Sequence, residues 1–225
     1  MKLAELIRRV RTEANDMAVP YFWSDEDVAA WLNDAVSEAC IRARLIHESQ
    51  DAAVCQIAVT AGQAVYPLHP ALYELTRLAL YPADGSRPEV LRLCSSERLD
   101  AERLDWPDEV GCPVFAVQGD TDLRLVPSPE QGATLKLEGY RTPIVELKLA
   151  DKDSAEPAIH REHHRHLIHW ALHKGFAVPD METFDPNRSA QAERAFEDHF
   201  GLRPSADLRR STREDTPHHN EAFWP

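Results

Sequence analysis

Along the first forty-odd residues, apolar side chains recur every three to four positions, the spacing of one helix face. Leu3, Leu6, Ile7 and Val10 stand on one side with Arg8, Arg9, Arg11 and Glu13 opposite, which predicts a helix from Leu3 to Met17 ended at Ala18-Val19-Pro20. Ser24 followed by Asp25-Glu26-Asp27 supplies an N-cap and an acidic first turn. It opens a second helix of about six turns that buries Val28, Trp31, Leu32, Ala35, Ala39 and Leu45 and turns Asn33, Asp34, Glu38, Arg42 and Arg44 mostly outward. The pair is an αα-hairpin joined by the aromatic elbow Tyr21-Phe22-Trp23.

From Val54 the period changes to two, and Gly and Pro punctuate the chain. The alternating runs are Val54 to Val59, Ala64 to Leu68, Leu72 to Tyr81, Glu89 to Cys94, Pro113 to Gln118, Asp122 to Pro127 and Thr134 to Arg141. Turn signals separate them at Ala61-Gly62, Asp84-Gly85, Gly119-Asp120 and Gln131-Gly132. Short strands so spaced indicate an antiparallel sandwich or barrel, interrupted by one short helix from Ser95 to Leu104.

The helical period returns in Pro157 to Val178, which carries six of the 11 histidines. At about 100° per residue, Ile159, Leu167, Ile168, Trp170, Ala171, Leu172 and Phe176 cover a wide buried arc. Glu162, His166, His169 and His173 fall within about 60° of one another on the other side. After Phe184-Asp185-Pro186 a last helix, Asn187 to Phe200, offers Ala192, Ala195, Phe196 and Phe200 to the bundle, with Gly201 as its C-cap. The segment beyond it is nearly devoid of apolar residues until Phe223 and Trp224, too few to bury a core. The expected fold is α+β. An N-terminal helix pair (1–50) and two C-terminal helices (151–202) form a bundle, an antiparallel β-sandwich or barrel is inserted at 51–150, and an extended arm follows at 203–225.

Composition narrows the function. With 43% hydrophobic residues in 225, the chain can build a core. A formal charge of −13 argues against nucleic-acid binding by phosphate neutralisation. Cys40, Cys55, Cys94 and Cys112 show no ligand spacing and read as small buried hydrophobes in a reducing compartment. No apolar run approaches the roughly 18 residues of a membrane span. The N-terminal helix lacks a signal-peptide core, so the cytoplasm is the expected place of synthesis.

Candidate chemistry is sparse. The Glu162, His166, His169, His173 stripe has the residue types of a divalent-metal site; the alternatives are a wet helix face or a face against a neighbouring subunit. His160 and His164 read as core histidines. There is no HExxH, GxSxG, GxGxxG or GxxxxGK[ST]. No catalytic residues and no cofactor are assigned. Arg203, Arg209, Arg210 and Arg213 make the arm locally basic in an acidic protein, which fits either a solvated tail or a contact with an acidic partner surface; the terminal Phe223 and Trp224 favour a segment that docks on a partner.

The layout resembles the head-to-tail adaptor (connector) proteins of tailed bacteriophages, most closely in VAAWLNDAVSEA, in LRLVPSPEQGATLKLEGYR and from His163 onward. The resemblance implies a virion structural protein of the neck region. Copies would form a ring, commonly twelve-fold, between the portal protein and a tail or nozzle protein, with genomic DNA passing through without specific binding. It further implies ring packing by the helices, here those bearing Trp31, Leu32, Leu167, Trp170 and Phe196, and a portal-docking or neighbour-docking role for the C-terminal arm. The metal-binding enzyme and a ligand-binding module with a β-sandwich pocket are the competing readings.

Overall fold

A computed structural model describes residues 1–103, 105–179 and 182–204, which divide into two compact units. The first comprises Met1–Glu48, Ala71–Glu74 and Tyr140–Arg203; the second comprises Ser49–Pro70 and Leu75–Gly139.

The first unit is the bundle. Helix α1 is Leu3–Ala14 and α2 is Asp25–Ala43. Two further helices, α5 (Leu167–Phe176) and α6 (Pro186–Phe200), complete it. Each starts or stops where local chemistry dictates. The Ser24 hydroxyl accepts the Asp27 N–H at the head of α2, and the Asp185 carboxylate accepts two N–H groups at the head of α6, with Pro186 at its first position. The core joins Leu3, Leu6 and Val10 of α1 to Leu32, Ala35 and Ala39 of α2, Leu167 and Ala171 of α5, and Phe196 of α6, all fully buried. Trp23 sits at its centre, edge-on to Trp31 and Phe176 at ring separations of 5.4 and 5.3 Å.

The predicted single helix over 157–178 is two elements. Arg161–His166 is a 3₁₀ segment, and only Leu167–Phe176 is α-helical. Helix α1 is also shorter than expected, because Asn15 takes a left-handed conformation (φ 63°) that ends it before Met17.

The inserted sheet is present, with strands within the alternating runs, except that Val54 and Cys55, expected in the first strand, close a short helix whose N-cap is Asp51. Two short elements, β1 (His47–Glu48) and α3 (Ala52–Cys55), precede β2 (Gln56–Val59). There follow β3 (Val65–Pro67), β4 (Leu72–Pro82), β5 (Glu89–Leu93), α4 (Ser96–Glu102), β6 (Val110–Gly111), β7 (Phe115–Gln118), β8 (Asp122–Val126), β9 (Ser128–Pro129) and β10 (Ala133–Arg141). The sheet runs β1-β10-β4-β5-β7-β8-β3 with β2 also on β10, and is curled into a half-barrel. It is mixed: β5 and β7 pair in parallel, as do β6 and β9. The reason is the helix between β5 and β7, since a crossover of that length lets the chain re-enter in the same direction. Cys94, Leu99, Trp106 and Val126 form a small core beneath it. Among the described residues no helix is long and apolar enough to cross a membrane.

Candidate functional site

The connection between α1 and α2 is built on a buried ion network. Arg11, placed outward by the helical wheel, is 5% exposed. Its Nη1 donates to Asp16 Oδ2 at 2.7 Å, and its Nη2 donates to the Trp23 carbonyl at 3.0 Å and to Asp25 Oδ1 at 2.6 Å. Asp16 is buried too, and its second oxygen accepts the Phe22 N–H at 3.0 Å. The planar guanidinium fork suits three acceptors at once, and it also lies 3.7 Å from the centroid of the Tyr21 ring. The acceptors were visible in the sequence; their convergence on one arginine was not.

Held on this frame, Met17 to Phe22 are six consecutive exposed residues, all of them apolar or aromatic. Met17 is 58% exposed, Val19 79%, Tyr21 45% and Phe22 50%. Beside them opens a cavity of about 200 Å³ lined by Ile7, Arg8, Met17, Tyr21, Asp25 and Lys152, among others. A contiguous exposed apolar run of this kind is a candidate interaction surface.

The histidine stripe is taken apart by the 3₁₀ segment. At about 120° per residue, Glu162 and His166 stand about 120° apart rather than the roughly 40° of an α-helix. His166 stacks on His199 of α6, with ring centroids 3.5 Å apart and planes 13° apart. His163 Nδ1 lies 3.0 Å from His199 Nε2, and the His169 ring is 5.9 Å from that of His166. His173 turns elsewhere, with Nδ1 3.0 Å from the Ser189 hydroxyl and 3.9 Å from Glu193. Among the described residues no group of three or more His, Cys, Asp or Glu is placed to hold a metal ion. The arrangement is a layer of imidazoles where the 3₁₀ segment and the start of α5 meet α6, and its central member, His199, was missed because only the packing of α6 reveals it.

Burial, reinforced by His199, Arg165, His169 and His163, pushes the His166 imidazole down to about 4. Burial is also the main cause of the lowered values at His169 and His199. Two more histidines depart from expectation or fulfil it. His164 is a core residue, 1% exposed, with Nε2 3.0 Å from the Ile159 carbonyl. His160 instead is exposed and caps the 3₁₀ segment by accepting the Glu162 N–H. Cys112 likewise is exposed, its thiol donating to Glu89 Oε2 at 3.3 Å.

The root of the arm is fixed by a third cluster. Glu38 and Arg42, expected outward, have side chains only 10% and 4% exposed and pair at 2.9 Å. Arg42 also reaches Glu197 at 3.4 Å and the Gly201 carbonyl at 3.3 Å. Arg203 approaches Glu38 at 3.7 Å. Arg209, Arg210, Arg213, Phe223 and Trp224 lie outside the described residues. Of the helix residues, Leu32, Leu167 and Phe196 are wholly buried, so they hold the helices together from within. Trp31 and Trp170 are half-buried, and the Trp170 Nε1 is buried without a hydrogen-bond partner among the described residues.

A cavity on the sheet unit, between Pro82, Cys112 and Pro129, measures about 20 Å³, room for about one water and not for a small-molecule ligand. The family model for the SU10 adaptor protein matches residues 1–219. The chain belongs to the SU10 adaptor protein family. This is a family of phage head-to-tail adaptors, so the adaptor is a structural protein of a bacteriophage. No curated protein matches it. For an adaptor, interfaces rather than a reaction centre are the expected functional parts, and the exposed elbow and the arm root are the adaptor's candidates.

Proposed function

We propose that the adaptor works in the neck of the virion as a closed ring of copies, commonly twelve, between the portal and a tail or nozzle protein. Genomic DNA passes through the ring without specific binding, and the arm from Arg203 onward reaches out of the subunit to its partners. The observation that carries this reading is the family match over residues 1–219. Two features support it. The chain has a formal charge of −13, and like charge keeps a phosphate backbone from adhering to a passage wall. Gly201 (φ +86°) turns the chain just where Arg42 grips it, so the arm leaves the bundle from a fixed point.

The test is the mass of the purified full-length protein by light scattering, alone and mixed with portal rings of its phage. A fixed high-order complex with the portal is the expected result. A monomer whose mass is unchanged by any portal overturns the reading.

A further inference from the structure

The six-residue exposed run from Met17 to Phe22 is not a frayed loop. Asp16 and Arg11 fix both of its ends through buried and partly buried hydrogen bonds, so the surface is presented preformed, which lowers the cost of covering it. The cavity beside it is amphipathic. Ile7, Met17 and Tyr21 supply apolar wall, and Arg8, Arg11 and Lys152 face one acid, Asp25. Arg11 is already shared between Asp16 and Asp25, and Lys152 stands 3.8 Å from Asp25. Arg8, and Lys152 held only at this longer distance from an acid that Arg11 already engages at 2.6 Å, are therefore the cations nearest to hand for an incoming carboxylate. On a protein of net charge −13, a cationic apolar notch selects an acidic segment that carries a large apolar side chain.

The chain itself contains such a segment. Glu214, Asp215 and Glu221 lead into Phe223-Trp224. In extended chain Glu221 and Phe223 are about 7 Å apart on the same side, which suits one group reaching the cations while the other covers the apolar wall. Glu221 lies 17 positions beyond Pro204, a reach of up to about 60 Å, against the roughly 30 Å width of a small domain.

We propose that the elbow cavity of one copy receives the Glu214–Trp224 segment of a neighbouring copy, with Glu221 on Arg8 and Lys152 and the aromatic pair over Met17, Tyr21 and Phe22. Elbow and arm are two different patches, so the contact is head-to-tail, the kind that closes into rings. The proposal rests on the ring reading above and names the contact that links its members.

The experiment is zero-length carbodiimide cross-linking of concentrated full-length protein, mixed from ¹⁵N-labelled and unlabelled copies and read by peptide mass spectrometry. The expected product joins Lys152 to Glu221, or to Glu214 or Asp215, with one peptide of each isotope. The Lys152–Asp25 link, formed within one chain, is the internal control. The double variant Phe223→Ser/Trp224→Ser should cut the mixed link by about tenfold or more, as for loss of a buried aromatic anchor. Met17→Ser/Phe22→Ser, on the opposite side of the contact, should do the same with the control link and helix content unchanged. Links of a single isotope only, or no link while the control forms, overturn the proposal, as do links indifferent to both variants. Should the protein still join a portal normally without the mixed link, this contact is wrong and the neck reading stands.

Discussion

A methyl group at Gly175 would stand 2.6 Å from Cζ2 of Trp23, and the indole has no room to retreat between Trp31 and Phe176. Gly175→Ala is therefore expected to destabilise the chain by about 1–3 kcal/mol, seen as a lower urea midpoint with unchanged slope; an unchanged midpoint would show that the ring can shift. Arg11→Met, which leaves Asp16 buried without its cation, is expected to cost about 3–5 kcal/mol in the same assay. A loss below about 1 kcal/mol would place the pair in the class of surface bridges. These two positions also mark what the sequence reveals residue by residue. The caps Ser24 and Asp185 were legible because each acts on the two or three residues after it. Arg11, Glu38 and Arg42 were misread as outward-facing because a helical wheel assigns faces one helix at a time. Arg11 finds Asp16 and Asp25 outside its own helix, and Glu38 and Arg42, besides pairing with each other within α2, are covered by Arg203 and Glu197 from beyond it.

Where the 3₁₀ segment and the start of α5 meet α6, the imidazoles of His163, His166, His169 and His199 are packed beside the cation of Arg165, with Glu162 acting in the opposite sense on His199 and Glu13 on His169. The folded-state value of His166 is lowered to about 4, below the unfolded value near 6.5, and His169 and His199 shift the same way. The unfolded chain thus binds more protons, and stability is full above about pH 6.5 and falls as the pH drops toward 4. Denaturant midpoints measured across that window should decline on acidification, and His166→Gln should flatten the decline. A profile identical to that of the unsubstituted protein would remove the imidazole layer as its cause. The strands of the sheet were legible from alternation and from glycine turns such as Gly62 and Gly85, both at φ +78°. The metal stripe was not a true stripe, because periodicity cannot distinguish a 3₁₀ turn from the α-helix it precedes. Glu162 and His166 line up only on the wrong ruler.

For the whole molecule, the core of the bundle is complete by Phe200, so removing Ser205–Pro225 should leave helix content and melting temperature unchanged. Joining of portal and adaptor should be lost, and retention of normal joining would overturn the docking role of the arm. The family was legible in the layout because helix pair, insertion and return helices follow one another in order; which face meets which neighbour was not, since that depends on surfaces no single chain buries. The division of residues has a consequence for recombination. Ala71–Glu74, in the middle of the insertion, belongs to the bundle; there the Tyr73 hydroxyl donates to the Cys40 carbonyl at 2.7 Å and the Ala71 carbonyl accepts the Thr142 N–H at 2.9 Å. An exchange between two phages that swapped everything between Glu48 and Tyr140 would carry off a piece of the recipient's bundle with it. A viable mosaic therefore needs matching sequence at an internal seam as well as at its two ends, so the sheet should travel with its own helices more often than alone.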